Sequence, residues 1–551
     1  MQRLNSQDEY FLDTDTPTAP THIGGLEIYR LPPGAGRDFM QKLYTRLKNS
    51  PVRAEPFNYK LVTRQPEEEK APKAKAGLEW LRPASQKKEK KPKPERGWEI
   101  VEKVNVEDHL YLHALPKPGG QRELGELVSR LHVNRLDRSR PLWETHLIEG
   151  LEGGRYAVYN KLHHSQFDGK RGMSLAHYTR SPRASTRGLP PIWSVKIDQA
   201  AKSDKSKSAA TEPPSKLQAL ASWGKALSSM ADARKNKPGE GVIAPYSAPQ
   251  TILNGPLTAR RRLGTQSLPI TRMKALGAAI EGGATVNEVL LAVCGGALRR
   301  YLLDQKALPE QPLIAACPVA MPRKEGGSAG NAVGQILVSL GTHVADPKQR
   351  LLAVVASSKA NKALMKAIEG EAYAHYTELS MMPQVLAAKG GFGHKVLNAN
   401  LVISNVPGPR EAQYTNGALL ESMYAASMLL AGQALNITVS NFGDNLDMGI
   451  MACPDLCPSP QNIAVYAGEE LTILERAMGL KVPARKAASN TAARKRPAPK
   501  KAAPKKAVGK KAAPKKPAQK KAASKKPAPK KAAPKNAVAK KVAAKKRKAG
   551  R

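Results

Sequence analysis

The sequence predicts a mixed α/β protein of more than one domain, followed by a basic tail that does not fold. Three observations predict it. Segments of helical period and segments of strand period alternate through residues 1–480. The 551 residues exceed what a single core ordinarily organises. The net charge of +43 is also unevenly placed: residues 481–551 hold 28 Lys and Arg and no Asp or Glu, which leaves +15 for residues 1–480.

Residues 1–180 read as the first globular domain. Its opening, Met1 to Tyr10, has no apolar core, so no signal peptide is expected. Residues 64–97 are crowded with Glu, Lys and Pro and bury too little apolar surface to offset their ordering entropy. They are expected to be a disordered insertion. Glu123–Leu131 has helical period, and Tyr156–His164 has strand period. Residues 181–242, rich in Ser, Lys, Ala and Pro, read as a linker. Within it Leu217, Leu220, Trp223, Leu227 and Met230 form one apolar face of a helix, flanked by Lys216 and Lys225. Such a face fits a membrane surface, or the protein's own domains.

Residues 243–480 read as the second globular domain. Thr285–Leu303 is expected to be a helix, with an apolar face running from Val289 through Cys294 to Leu298. Gln335–Leu340 and Asn436–Asn441 read as strands, and the Gly and Pro within Asn405–Pro409 force a turn. The tail, 481–551, repeats Lys-Lys-Ala-Ala-Pro-Lys-Lys units and is expected to stay extended and solvated.

Some classes are excluded. The most apolar window, Ala418–Leu435, is broken by Glu421 and Gln433, so no segment reaches the roughly 18 residues of a spanning helix. The expected location is cytoplasmic, peripheral to the inner membrane or lipid inclusions, with nucleoid association through the tail. The four cysteines are few and scattered, which fits a reducing compartment. Cys453 and Cys457 lie four apart with no second pair nearby, and no metal site or cofactor is expected.

The chemistry concentrates in Asn160-Lys161-Leu162-His163-His164-Ser165-Gln166-Phe167-Asp168-Gly169. Adjacent histidines on a strand point to opposite faces, so one can face a channel while the other packs inside. Asp168 can pair with a distant Arg and hold the loop, and Gly169 permits a turn that other residues resist. An alcohol is a poor nucleophile at neutral pH. An imidazole, with an ordinary pKa near 6.5, can take its proton as the oxygen attacks a thioester. The imidazolium can then protonate the departing thiolate, so no acyl-enzyme is required.

This segment resembles the active-site motif of the bacterial wax ester synthase/diacylglycerol acyltransferase family. Other stretches resemble the family too: Ser6–Leu12 with Thr21–Leu26 at its opening, and Arg135–Glu144 just before the catalytic strand. Ala284–Val289 is similar to the start of its central helix, although the family more often has Asp where Glu288 stands. Ser404–Pro409 resembles its latch-like loop and Leu435–Ser440 its late strand. The resemblance implies two chloramphenicol acetyltransferase-like domains with the active site at their interface. It implies acyl-CoA and an alcohol, either diacylglycerol or a long-chain alcohol, entering a tunnel from opposite sides. His164 is implied as general base, and His163 and Asp168 as support. Gly169 would give room beside the thioester, and Asn287, Asn405 and Asn436 would line the site. The insertion at 64–97, the polar Lys170-Arg171 and the tail are departures from the family pattern.

The tail resembles linker-histone C-terminal tails. Its lysines would neutralise phosphates without reading sequence, and with no aromatic residues it has no platform for stacking bases. Its targets are DNA or an anionic membrane or lipid-inclusion surface; a purely solubilising role is the third reading. Two competing functions follow: a DNA- or granule-binding structural protein with a degenerate acyltransferase domain, or an acyltransferase for a carrier-bound acceptor. No carrier domain with a phosphopantetheine-type serine is visible in the chain, which weighs against the latter.

Overall fold

Two six-stranded sheets form the body of the molecule. This computed structural model describes residues 1–64, 94–167, 175, 177–195, 216–237, 239–320, 333–368 and 371–482. The strands of the first sheet are β2 (His22–Arg30), β5 (Leu110–Ala114), β6 (Trp143–Leu151), β7 (Arg155–His163), β12 (Tyr414–Thr415) and β13 (Ala418–Ala426). They lie in the order β12-β13-β2-β7-β6-β5. Only β5 and β6 run parallel. The second sheet has β8 (Arg262–Pro269), β9 (Ile314–Ala320), β10 (Val333–Ser339), β11 (Leu401–Val406), β14 (Leu435–Phe442) and β15 (Asn445–Ala452). Its order is β10-β9-β11-β14-β15-β8. A small third sheet joins β1 (Gln2–Arg3), β4 (Glu95–Ile100) and β3 (Tyr59–Arg64).

The division read from the sequence at 181–242 is therefore not the division between sheets. Strand β13 crosses from the second half and pairs antiparallel with β2 from Leu419↔Arg30 to Ala426↔Gly24. Ser181 bridges to Tyr414 of β12, and Trp193 stacks on Trp143 with its rings 5.1 Å apart, so residues 181–195 belong to the first core and are no linker. The sequence shift to small polar residues hid one buried tryptophan.

Helices cover the outer face of the second sheet: α6 (Val286–Asp304), α7 (Pro347–Ile368) and α9 (Gln461–Ala477). Helix α6 starts where expected. Thr285 caps it, its hydroxyl accepting from the Glu288 N–H while the Glu288 carboxylate accepts from the Thr285 N–H at 2.7 Å. Strands β14 and β15 are buried on both faces, and β14 alternates apolar Leu435, Ile437 and Val439 with the buried polar stripe Asn436, Thr438 and Ser440. On the first sheet, α1 (Ser6–Thr14), α2 (Phe39–Lys48) and α3 (Gln121–Val133) supply cover. Helix α5 (Ile270–Ala278) continues β8.

The amphipathic helix is present as α4 (Lys216–Ala233), and it docks. Trp223 stacks on His375 of α8 (Glu371–Lys389) at 3.9 Å, and Ala226 is fully buried. Leu227, on the same predicted face, stays 56% exposed. The expected insertion is narrower than 64–97, because Arg64 pairs with Glu95 at the end of the β3–β4 ladder. That ladder is held by Trp98 and Leu61 packing on Leu12, Leu136 and Leu142. Residues 65–93 and 483–551, and with them nearly all the tail, lie outside the described residues. Among the described residues no helix is long and apolar enough to cross a membrane.

Candidate active site

The site is assembled where β7 ends. On β7, Tyr159, Lys161 and His163 face α3 and the 132–138 segment, while Val158, Asn160 and Leu162 face the opposite way. His163 is the last strand residue, and the chain then turns, with Gln166 and Phe167 N–H groups donating to the His163 carbonyl. His164 thus sits one residue past the strand, in the turn. Its N–H donates to the Thr21 carbonyl at 3.0 Å, and its ring stacks on Phe11 at 4.3 Å.

The two histidines have different surroundings. His163 is 2% exposed and engaged at both ring nitrogens. The Thr21 hydroxyl donates to the Phe11 carbonyl at 2.8 Å, so it accepts from His163 Nε2–H at 3.2 Å. Nδ1 then accepts from Ser165, whose hydroxyl is 2.7 Å away. Burial pushes the His163 imidazole below its ordinary value, with Asp15 pulling the other way. Asp15, at the C-cap of α1, accepts from Arg135, Arg138 and the Thr21 N–H. Burial would raise its carboxyl, but His163 and Arg135 outweigh that and hold it well below the usual carboxylate range. His163 is thereby a fixed strut linking α1 to β7.

His164 instead lines a chamber of about 210 Å³ between the two sheets. Gly25, Asn160 and Leu162 come from the first sheet, Ser404 and Val406 from β11, and Thr438 and Ser440 from β14. The far wall is β13 with Ser427 beyond it. Gly25 has nothing within 4 Å of where a Cβ would stand, so its missing side chain is chamber space. A second cavity, about 300 Å³, lies beyond the Phe11 ring, lined by Phe11, Thr21, Lys389, His394 and Met428–Gly432.

The sequence-derived residues are only partly gathered here. His164 lines the chamber, and His163 braces it. Asp168 and Gly169 lie outside the described residues. Asn405 is exposed. Strand alternation turns its neighbours Ser404 and Val406 into the chamber, so the candidate was one residue out of phase. Asn436 is buried on the same face as Thr438, and its Oδ1 accepts from the Thr438 hydroxyl at 2.8 Å. Asn287, half-buried at the start of α6 beside the Glu288–Lys362 pair, is not among the chamber's lining residues. The roles of Asp15, Thr21 and Phe11 were missed: Phe11 and Thr21 lie in stretches that carry the family resemblance, but only contacts across the fold, to His163 and His164, mark what they do. The polar stripe Asn436, Thr438, Ser440 in an otherwise apolar strand was a signal available in the sequence.

Among the described residues no cluster of three or more His, Cys, Asp or Glu is arranged to hold a metal ion, and the four cysteines are buried outside any disulfide.

Comparison with known proteins places this architecture. Residues 68–290 match the wax ester synthase/diacylglycerol acyltransferase catalytic domain, and residues 329–475 match the WS/DGAT C-terminal domain. The chain is similar to the probable diacylglycerol O-acyltransferase tgs2 of Mycobacterium tuberculosis, at 36% identity over 482 residues, covering 87% of this chain and 100% of the relative. It is similar to the O-acyltransferase WSD of Acinetobacter baylyi, at 34% identity over 483 residues, covering 86% and 97%. Among solved structures it resembles the wax ester synthase/diacylglycerol acyltransferase from Marinobacter aquaeolei VT8, with a TM-score of 0.68 and 32% identity, covering 87% of this chain and 100% of that one.

Proposed function

The chain belongs to the wax ester synthase/diacylglycerol acyltransferase family, and from that premise we propose that it moves a long-chain acyl group from acyl-CoA to diacylglycerol or a long-chain alcohol, with His164 as the base. The observation that carries this reading is the placement of His164: its ring faces an apolar-walled chamber between the sheets, while its neighbour His163 is fully engaged in bracing α1.

The steps follow from that geometry. The acceptor hydroxyl donates to the His164 ring and, as its proton is taken, its oxygen attacks the thioester carbonyl. The developing oxyanion needs donors fixed in advance. The Ser440 and Ser404 hydroxyls, which line the chamber, are the groups at hand. The Thr438 proton is already given to Asn436 Oδ1, so Asn436 and Thr438 serve as fixed wall rather than as donors. The intermediate collapses, the C–S bond breaks, and the imidazolium returns its proton to the thiolate. The ester and free CoA leave, and no covalent enzyme intermediate is formed. The Phe11 ring, between the chamber and the second cavity, separates the two routes by which donor and acceptor reach His164.

The finer partners follow the surface chemistry. Met382 and Leu386 of α8 and Phe392 just beyond it are 41%, 61% and 48% exposed, beside Lys389 and Lys395. Apolar side chains rimmed by cations fit an anionic membrane or lipid-inclusion surface. The same helix end carries Ala388 and Lys389 into the wall of the second cavity, so a lipid acceptor would enter from that surface. The 28 cations of 481–551 add non-specific attraction to polyanions, DNA among them, and with it an association with the nucleoid.

The test is thiol release from palmitoyl-CoA by the full-length chain, with diacylglycerol or hexadecanol as acceptor, beside His164→Ala. Acceptor-dependent release that the substitution abolishes is expected. Release that persists in a folded His164→Ala protein removes the assigned base, and no release with either acceptor removes the activity.

A further inference from the structure

The chamber at His164 is small for the substrates of such an enzyme: about 210 Å³ holds the reacting centre and only part of a long chain. A larger cavity, about 410 Å³, lies on the same face of the first sheet under α2. The two share Glu27, Asn160 and Ile192 as wall residues. The outward-turned residues of β7 connect them in sequence. Leu162 and Asn160 line the chamber, and Asn160, Val158 and Tyr156 line the larger cavity. From Leu162 to Tyr156 this ledge runs six residues, about 20 Å at about 3.4 Å per residue. That is the dimension of a long hydrocarbon chain, and far more than a short acyl group needs.

The lining suits hydrocarbon. Phe39, Leu43 and Leu47, one turn apart on α2, roof the cavity, and Leu147 and Trp193 floor it. The charged group on the shared wall is already neutralised: both oxygens of Glu27 are taken, one by the Tyr29 hydroxyl at 2.6 Å and the other by the buried Arg180. A chain passing it meets no unpaired charge.

We propose that the cavity under α2 is the bay for a long hydrocarbon chain whose reactive end lies at His164, so that its depth sets the chain length the enzyme prefers. This rests on the acyltransferase reading above. The chain has two sources, the acyl group of the donor and the chain of the alcohol.

Two substitutions fill the bay away from His164: Val158→Phe on the ledge and Leu43→Trp on α2. Thermal melting checks that each folds. Leu43 is on a surface helix, so it carries the test where Val158→Phe does not fold. One arm compares hexadecanoyl-CoA with octanoyl-CoA at a fixed alcohol, and the other compares hexadecanol with octanol at a fixed acyl-CoA. In one arm the long-to-short ratio of kcat/KM is expected to fall by about tenfold or more, the scale at which a pocket discriminates a few methylenes. The arm that shifts identifies the source. Ratios unchanged in both arms, or long and short substrates losing rate in parallel, overturn the bay. Failure of the parent reading looks different, because the unsubstituted protein then releases no thiol with any chain length.

Discussion

Replacing Asp447 by Asn is expected to stabilise the protein at pH 8 and to leave it nearly unchanged at pH 4. Asp447 is fully buried on β15. Its carboxylate accepts from the Met423 N–H of β13 at 2.8 Å and from the Ser267 hydroxyl of β8, itself 3.0 Å from the Tyr424 hydroxyl. It thus staples the crossing strand to the second sheet. Burial raises this carboxyl from 3.8 to about 6, against the lowering effect of the Ser267 and Met423 hydrogen bonds. The folded protein therefore holds the proton more tightly than the unfolded chain. The stability this group contributes is complete below about pH 4 and is lost as pH rises through about 6. A gap of about two units, at about 1.4 kcal/mol each, makes that loss about 3 kcal/mol. Asparagine keeps the shape and stays neutral. Its Oδ1 can accept from Met423, and its amide can donate to the Ser267 oxygen. The assay is urea unfolding of the parent and Asp447→Asn chains from pH 4 to 8. Buried His22 and His132 impose the opposite trend, because burial lowers both, His132 to about 3, and their contribution fades as pH falls below 6.5. They are common to both chains and cancel in the difference. A stability difference that is flat across this range, or that favours the parent at pH 8, refutes the reasoning.

The brace around His163 makes further expectations. Asp15→Asn should lower stability by about 2 kcal/mol, less than the roughly 3–5 of a fully buried pair because Arg135 and Arg138 stay 35% exposed, with kcat falling more than KM changes; chemical denaturation and steady-state kinetics read both. Thr21→Val removes the hydroxyl that accepts from His163 and should slow turnover by about tenfold, whereas Thr21→Ser should restore it, a rescue that a purely steric role does not give. Gly24→Ala drives a methyl into the ring of Tyr159, which is fully buried and held by His132 at 2.6 Å, and should destabilise by about 1–3 kcal/mol; Gly25→Ala, which meets open space, should melt like the parent. Equal melting losses at the two glycines would refute the assigned facing of β2.

What the sequence made legible was whatever is written locally. The helix beginning at Thr285, the strands at 335–340 and 436–441 and the paired histidines all depend on near neighbours, and each is where local chemistry put it. What escaped depends on long-range pairing. Asp15 meets Arg135 across 120 positions, and β13 reaches β2 across nearly 400. No period or motif encodes such matches. The docking of α4 was undecidable from its pattern, because an apolar stripe looks the same whether it meets lipid or helix; Trp223 against His375 settles where it packs. The asparagines failed for a subtler reason. Asn405 was chosen by motif, yet the two-residue period of β11 presents Ser404 and Val406 instead.

The exchanged strand β13 has a consequence for how the molecule is born. The outer edge of β2 receives its partner only when residues 418–426 emerge, almost 400 positions after β2 itself. At about 5–20 residues per second of synthesis, roughly 20–80 s pass in which that edge is a bare template on the ribosome. During that interval the chamber has no far wall, and no competent fragment of the enzyme exists. The Thr438 and Ser440 wall of β14 follows later still, so a chain terminated anywhere upstream of residue 440 lacks part of the chamber around His164.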